Sequence, residues 1–361
     1  MADTYIAAMT FLDRLSIRHP VVQAPMAGVS TPQMAAAVSE AGALGSIGVG
    51  AVDADGAAAM IGQVRALTGR PFHVNLFVHA DPEPEPAVEA AWRDALAPLF
   101  DRFGAAPPQA LRTIYRSFAH DDAMLAMLVA QAPSVVSFHF GLPAADRIAA
   151  LRAAGCILLA TATSLDEARA IEAAGLDGIV AQGIEAGGHR GVFDPDAPDD
   201  GLGTAALTRL LATQCSLPVI SAGGIMDGAG IAAALDLGAI AAQLGTAFIA
   251  CPESSADAAY RAALASDAAW HTRFTRAISG RTARCLANGF TDWGAGHPGL
   301  PAPAYPRAYD IGKALNAAAK AVGNGGYGAQ WAGQGAPLAR TLPAAELVGI
   351  LVKELASVRA S

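Results

Sequence analysis

Lysine is almost missing from this chain. Lys313, Lys320 and Lys353 are the only three in 361 residues, and arginine carries the rest of the positive charge. With the abundant alanine, that bias reads as genomic composition rather than a structural message. There is no basic run and the formal net charge is −8, which argues against nucleic acid or an anionic membrane surface as a partner. Glycines and turn signals cut the apolar stretches to strand length, so no membrane span is expected. The N-terminus, MADTYIAAMTFLDRL, lacks a basic start followed by an apolar stretch and does not read as a secretory signal. Cys156, Cys215, Cys251 and Cys285 lie far apart with no CxxC pair, which predicts reduced thiols in a cytoplasmic protein. A chain of this length buries a large core without a disulfide or metal staple. It suits one barrel of roughly 200–250 residues with additions, or two medium domains.

What is present is a regular alternation. Apolar runs at 21–26, 44–49, 72–77, 134–140, 156–162, 178–183, 218–223 and 241–248 read as strands. Helical stretches separate most of them, at 32–41, 53–67, 120–131, 144–153, 164–174, 204–213 and 227–236. Thr31, Ser164 and Asp227 stand where helix N-caps belong. The runs at 134, 156 and 178 start 22 residues apart. Such spacing means parallel strands with helical crossovers, and continuous apolar strands mean a sheet buried on both faces. The fold class is therefore α/β: a (β/α)8 TIM barrel with a smaller helical substrate or lid domain inserted after strand eight. The alternative is an open doubly wound sheet, but APMAGVSTP follows the first strand where GxGxxG would be required. We expect residues 1–250 to form the barrel, completed by the C-terminal helix 340–361, and 251–339 to form the lid. Residues 79–110, with Pro82, Pro84, Pro86, Pro107 and Pro108 around a helix, look like an excursion after strand three.

Barrel active sites lie at the C-terminal strand ends. Here those ends supply Pro25, Met26, Asn75, His139, Gln182, Gly187, Gly188, His189, Ala222, Gly223, Gly224, Gln243, Leu244, Gly245 and Thr246. The set has no carboxylate cluster, so a two-carboxylate glycosidase or a divalent-metal site is poorly supported. SAGGIMDG and QLGTAF can cradle a phosphate with backbone N–H groups, or can simply turn. Asn75 and Gln182 can bond a heterocycle such as a flavin ring, or neighbouring backbone. In AQGIEAGGHRGVF (181–193), Gly187 and Gly188 would let backbone approach a planar ligand and project His189 over it. A loop that only turned would need neither the histidine nor the arginine. His139 is either a second functional imidazole or a satisfied core histidine. Tyr305, Tyr309 and Lys313 recur every four residues, as either an amphipathic helix face with a snorkelling lysine or the wall of a pocket for a small anion.

Taken together, QAPMAGVSTPQMAAAVSEAGALGSIG, FHVNLF, VSFHFG, AQGIEAGGHRG, SAGGIMDG, QLGTAF and WAGQG resemble the nitronate monooxygenase family, once called 2-nitropropane dioxygenases. The resemblance runs from about residue 15 to the end. AQGIEAGGHRG and WAGQG (331–335) favour the family's class I branch. The resemblance implies an FMN enzyme that oxidises alkyl nitronates, propionate 3-nitronate among them, with molecular oxygen. The products are a carbonyl compound and nitrite, formed by way of a flavin semiquinone. It implies FMN contacts at Asn75, Gln182, Gly187, Gly224 and Gln243–Thr246, with Pro25, Met26 and Gly188 in addition. His189 matches the catalytic histidine, as base toward a neutral nitroalkane or stabiliser of negative charge on a nitronate. His139, Tyr115, Tyr260, Tyr305, Tyr309 and Lys313 match the substrate pocket. The partners implied are a nitronate and oxygen, with no metal, in a monomer or homodimer. The departures, Glu40 and Ala43 in the first motif, lie away from the ligand.

Two readings compete. One is an NAD(P)H-dependent FMN reductase on the same barrel, either an NADH:quinone reductase or an enoyl-thioester reductase. It would need a place for the nicotinamide, and no second dinucleotide fingerprint is present. The other is a flavin storage or sensor module without turnover.

Overall fold

A computed structural model describes residues 11–360. Eight parallel strands form the central sheet: β1 (Val21–Gln23), β2 (Gly45–Gly48), β3 (Phe72–Phe77), β4 (Val135–His139), β5 (Ile157–Ala162), β6 (Gly178–Gln182), β8 (Val219–Ala222) and β9 (Ala241–Leu244). A two-residue strand, β7 (Gly188–His189), lies outside it. The order β1-β9-β8-β6-β5-β4-β3-β2 follows the chain around a ring. The ring closes where Gln23 N donates to Leu44 O (2.9 Å) and Leu44 N to Val21 O (3.0 Å). This is the expected TIM barrel.

The local reasons are those the sequence advertises. Thr31, Ser164 and Asp227 each accept a bond from the third backbone N–H beyond them, at Met34, Glu167 and Gly230. The strands are buried on both faces. Val22, Leu44, Leu159, Val180 and Ile220 fill the barrel interior, where Phe11, Leu15 and Ile17 pack against them. Outward residues such as Val74, Phe138 and Leu158 meet the helices. Each such fully buried aliphatic side chain contributes about 1.5–3 kcal/mol. The last helix, Ala344–Ala360, packs on helices Gly228–Asp236 and Pro32–Glu40 and fills the remaining gap in the outer ring.

Three details differ from expectation. The eighth barrel strand stops at Leu244; a short helix, Thr246–Ile249, occupies residues expected to be strand. The lid is not helical throughout. Strands β10 (Thr272–Thr275) and β11 (Ala283–Leu286) pair antiparallel, and β11 also pairs with β7. Four-residue runs such as TRFT and ARCL are too short for periodicity to separate strand from helix. Finally, the helix Pro86–Arg102 of the proline-rich excursion packs on helix Arg307–Ala321. Trp92, Leu96 and Phe100 thereby join Ile278, Phe290, Ile311 and Leu315 in one apolar cluster.

Candidate active site

The His189 loop is held from every side. Arg190, 1% exposed, makes a two-pronged ion pair with Asp199 (2.6 and 2.9 Å) and donates to the carbonyls of Gln182 and Gly183 (both 3.0 Å). The arginine of the motif is thus a clasp. Glu185 accepts from the Thr204 N–H and hydroxyl (both 2.7 Å). The His189 carbonyl accepts from Gln182 Nε2 (3.0 Å) and His139 Nε2 (3.3 Å). Because a carbonyl only accepts, that His139 nitrogen carries the proton, and its Nδ1 takes a bond from Thr161 Oγ1 (3.0 Å). Both His139 nitrogens are therefore engaged. Gln182 Oε1 accepts from Gly191 N (2.7 Å), so this amide also serves the loop. The β7–β11 pairing sets His189 opposite Ala283 and Gly188 opposite Arg284. The His189 ring lies in the barrel mouth, with Nε2 bonded to Ser279 Oγ (2.8 Å).

The other half of the mouth is a glycine cradle. A Cβ on Gly187 would lie 2.5 Å from the backbone of Ala332 and Gly333. On Gly223 it would meet Thr204 Oγ1 at 2.5 Å, and on Gly335 the Gly224 carbonyl at 2.7 Å. The WAGQG tract is threaded through this wall: Gly333 N donates to Thr246 Oγ1 (3.0 Å) and Gln334 N to the Glu185 carbonyl (2.9 Å). Gln243 lines the same cavity, and its buried Oε1 has no donor among the described residues. A buried acceptor without a partner costs about 1–3 kcal/mol unless a ligand satisfies it. Asn75 Nδ2 is bonded to Ser137 Oγ (2.7 Å), while its side-chain Oδ1 makes no hydrogen bond among the described residues. Pro25, Met26, Ala222, Gly224, Gly245 and Thr246 complete this side. Small residues for backbone approach, an orphaned amide oxygen and a second unengaged one fit a phosphate-bearing heterocycle such as FMN.

Over the mouth stands an aromatic wall. The His189 ring centroid lies 5.4 Å from Tyr305, 6.1 Å from Tyr309, 5.6 Å from Phe140 and 5.0 Å from Trp331. Tyr115 and Tyr260 line the same cavity, and the Tyr260 hydroxyl donates to the Trp331 carbonyl. Two predicted residues lie elsewhere. Leu244 is 1% exposed and turned into the core between barrel and helices, because alternation along β9 that points Gln243 inward points Leu244 outward. Lys313 lines a second cavity that borders the mouth through Tyr115, Tyr260, Tyr309 and Trp331. Its Nζ lies 5.0 Å from the Tyr115 ring and 5.4 Å from Tyr309. Nor do the two tyrosines and the lysine share one helix. The helix begins at Arg307, after the cis Tyr305–Pro306 bond, so only Tyr309 and Lys313 are on it; the ring of Pro306 keeps the preceding residue out of helical geometry.

Charge is scarce here and buried. Arg281 is 3% exposed, lies 4.2 Å from the Phe140 ring centroid, donates to the Val192 carbonyl, and has no carboxylate partner among the described residues. Burial, then His139 and Arg281, pull the His189 pKa down to about 3. Burial and Arg281 likewise pull His139 to about 4. Both rings are neutral near pH 7. Burial pushes the Tyr115 phenol up to about 12 and raises Tyr305 and Tyr309, so all three are protonated donors.

Sequence reasoning did not single out Trp331, Phe140, Ser279 or Arg281. Trp331 heads the WAGQG tract and was within reach. Phe140 holds φ at +79°, a strained value no sequence pattern announces. Ser279 and Arg281 reach the site only through the β11–β7 pairing.

Comparison with known proteins agrees in scale and order. The nitronate monooxygenase family model matches residues 9–354. A nitronate monooxygenase of Paraburkholderia phytofirmans is 64% identical over 345 residues, covering 95% of this chain and 94% of its own. One of Pseudomonas aeruginosa is 56% identical over 347 residues, covering 96% and 98%. The solved structure of a nitroalkane oxidase from Streptomyces ansochromogenes superposes with a TM-score of 0.89 at 44% identity, over 98% of this chain and 99% of that one. A structure of FabK from Thermotoga maritima gives 0.74 at 28% identity, over 97% of both chains.

Proposed function

The chain belongs to the nitronate monooxygenase family, in its class I branch, and from that premise we propose how this barrel mouth works. The enzyme is an FMN-dependent oxidoreductase that converts alkyl nitronates, propionate 3-nitronate among them, with molecular oxygen to a carbonyl compound and nitrite. Bound FMN supplies the redox chemistry between nitronate and oxygen. We assign its phosphate to the Gly223–Gly224 and Gly245–Thr246 turns, and its ring N–H and ribityl hydroxyls to the unengaged side-chain oxygens, Asn75 Oδ1 and Gln243 Oε1. Gln182 and His139 hold the His189 carbonyl and thereby aim the ring. His189, neutral near pH 7, would take a proton from a neutral nitroalkane; it carries no positive charge to set against a nitronate. The Tyr115, Tyr260, Tyr305 and Tyr309 rings exclude water; Tyr115, Tyr305 and Tyr309 offer hydroxyl donors to the nitro oxygens, the Tyr260 proton being held by the Trp331 carbonyl, while Lys313 stands at the outer approach for an anionic tail.

The observation that carries this reading is the His189 imidazole, one of whose ring nitrogens has no hydrogen bond among the described residues, set over a glycine-walled cavity that offers unpaired amide oxygens. We further assign residues 1–250 with 340–361 to cofactor binding and 251–339 to substrate closure. Four unpaired cysteines suit a reducing, cytoplasmic setting, and the acidic surface suits a monomer or homodimer without nucleic acid. Among the described residues no helix is long and apolar enough to cross a membrane.

The test is anaerobic mixing of the yellow protein. Propionate 3-nitronate alone should bleach the flavin absorbance, and NAD(P)H alone should not; in air, oxygen uptake should accompany nitrite release. Bleaching by NAD(P)H but not by the nitronate would assign the barrel to reductase chemistry. A His189→Asn variant that kept FMN and full turnover would remove the role given to His189.

A further inference from the structure

We propose that Ser279 is a positioning residue that fixes the tautomer of His189, with the proton on Nε2 and the Nδ1 lone pair presented to the barrel mouth. The argument is proton counting. Ser279 is 1% exposed, and its hydroxyl has one proton and two partners. One partner is the Arg281 carbonyl oxygen, 3.2 Å away, which can only accept. The serine proton is spent there. The serine oxygen then meets His189 Nε2, 2.8 Å away, with a lone pair, so that nitrogen must be the donor. The neutral ring has no second proton, so Nδ1 is bare. Nδ1 makes no hydrogen bond among the described residues, and the ring lines the barrel mouth.

The relay is short and rigid. Gly280 N donates to the Arg276 carbonyl (2.8 Å), and Arg190 N donates to the Thr282 carbonyl (2.9 Å). One residue further on, Ala283 pairs with His189 across the ribbon. The Arg281 side chain leaves the same turn and lies over Phe140, whose ring stands edge-on to the imidazole at 5.6 Å. Residues 279–281 therefore hold His189 by its Nε2 and, through Phe140, by its ring. A neutral imidazole held this way has one capability toward a ligand, accepting a proton or hydrogen bond at Nδ1. Toward a neutral nitroalkane the step balances: the carbon–hydrogen bond breaks, Nδ1 gains the proton, and the electron pair left on carbon moves into the C=N bond of the nitronate.

This inference deepens the reading of His189 given above and rests on it for its consequence, but its test reads the ring directly. FMN-loaded protein labelled with 15N-histidine has eight imidazoles, and the His189 signals are those that vanish in His189→Asn. In the native protein they should be pyrrole-like for Nε2 and pyridine-like for Nδ1. Ser279→Ala should show both tautomers, keep its flavin, and lose ~10- to 100-fold in kcat/KM on a neutral nitroalkane, mostly in kcat. Ser279→Thr, which restores the hydroxyl, should restore spectrum and rate together. A pyridine-like Nε2 in the native protein overturns the proposal, whether or not the alanine variant folds. So does a Ser279→Ala spectrum identical to native. A native spectrum as expected beside a fully active His189→Asn would leave the tautomer standing and fell the catalytic role instead.

Discussion

Gly187 and Gly188 are adjacent, and the structure requires glycine at each for a different reason, which a pair of alanine substitutions separates. At Gly187 the obstacle is space. The added methyl would lie 2.5 Å from the Ala332 carbonyl carbon and from Gly333 N, both of them backbone. Ordinary contact begins near 3.4 Å, so the WAGQG tract must retreat by ~1 Å, and a shift of that size beside a reacting centre can cost ~100-fold in rate. At Gly188 there is room, since the nearest atom is Trp331 Cβ at 3.9 Å, but φ is +76°. A side chain there costs about 1–2 kcal/mol of backbone strain, which in a chain of this length lowers Tm by only ~1–3 °C. Gly188→Ala should therefore be slightly less stable yet keep its flavin and most of its turnover. Gly187→Ala should lose flavin on gel filtration and lose rate well beyond what its Tm explains. The assays are the flavin-to-protein absorbance ratio, a thermal melt and oxygen uptake. Full flavin and full rate in Gly187→Ala, or a larger loss in Gly188→Ala than in Gly187→Ala, would refute the claim that the tract is seated directly on this loop.

The barrel could be read from sequence because each of its strands is a continuous apolar run and helices such as those after Thr31, Ser164 and Asp227 start on a capping residue. Both are local signals that tertiary structure has no reason to override. The glycines and His189 were legible for a related cause: strand ends are where barrel chemistry sits, so position alone nominated them. What escaped is what depends on pairing distant segments. Ser279 meets His189 across 90 positions, and nothing in AISGRTAR marks its serine. Arg190 looked like chemistry because a buried clasp and an exposed cation have the same letter; its partner, Asp199, stands among other acids in FDPDAPDD. Leu244 was grouped with Gln243 as one motif, but a strand sends neighbours to opposite faces. Tyr305 was grouped with Tyr309 and Lys313 by spacing, and the proline between them ends the argument from spacing.

Three further outcomes follow from the same contacts. Arg190→Leu strips donors from two buried carbonyls, at about 1–3 kcal/mol each, and leaves the exposed Asp199 to solvent, so Tm should fall by ~3–8 °C, whereas an unchanged melt would mean that the clasp holds nothing. Acid should destabilise the fold well above the carboxylate range: burial pulls His73 to about 3 and His79 to about 4, so between pH 6.5 and 5 the unfolded chain takes up protons that the folded one refuses. Stability then drops with falling pH by up to ~1.4 kcal/mol per pH unit for each such histidine, and a Tm flat from pH 7 to 5 would contradict this. Gln243→Leu separates a cofactor contact from a structural one. Its Oε1 is buried with no donor among the described residues, so the flavin-free protein loses no hydrogen bond there when the amide goes, and it sheds the desolvation cost of an unmet acceptor. The flavin-free variant should melt at or slightly above the native flavin-free temperature, while its affinity for FMN, read by fluorescence quenching of the titrated flavin, should weaken ~10-fold, the loss of about one hydrogen bond. If instead the flavin-free variant melts lower and FMN binds as before, Gln243 belongs to the scaffold and the ring is held elsewhere.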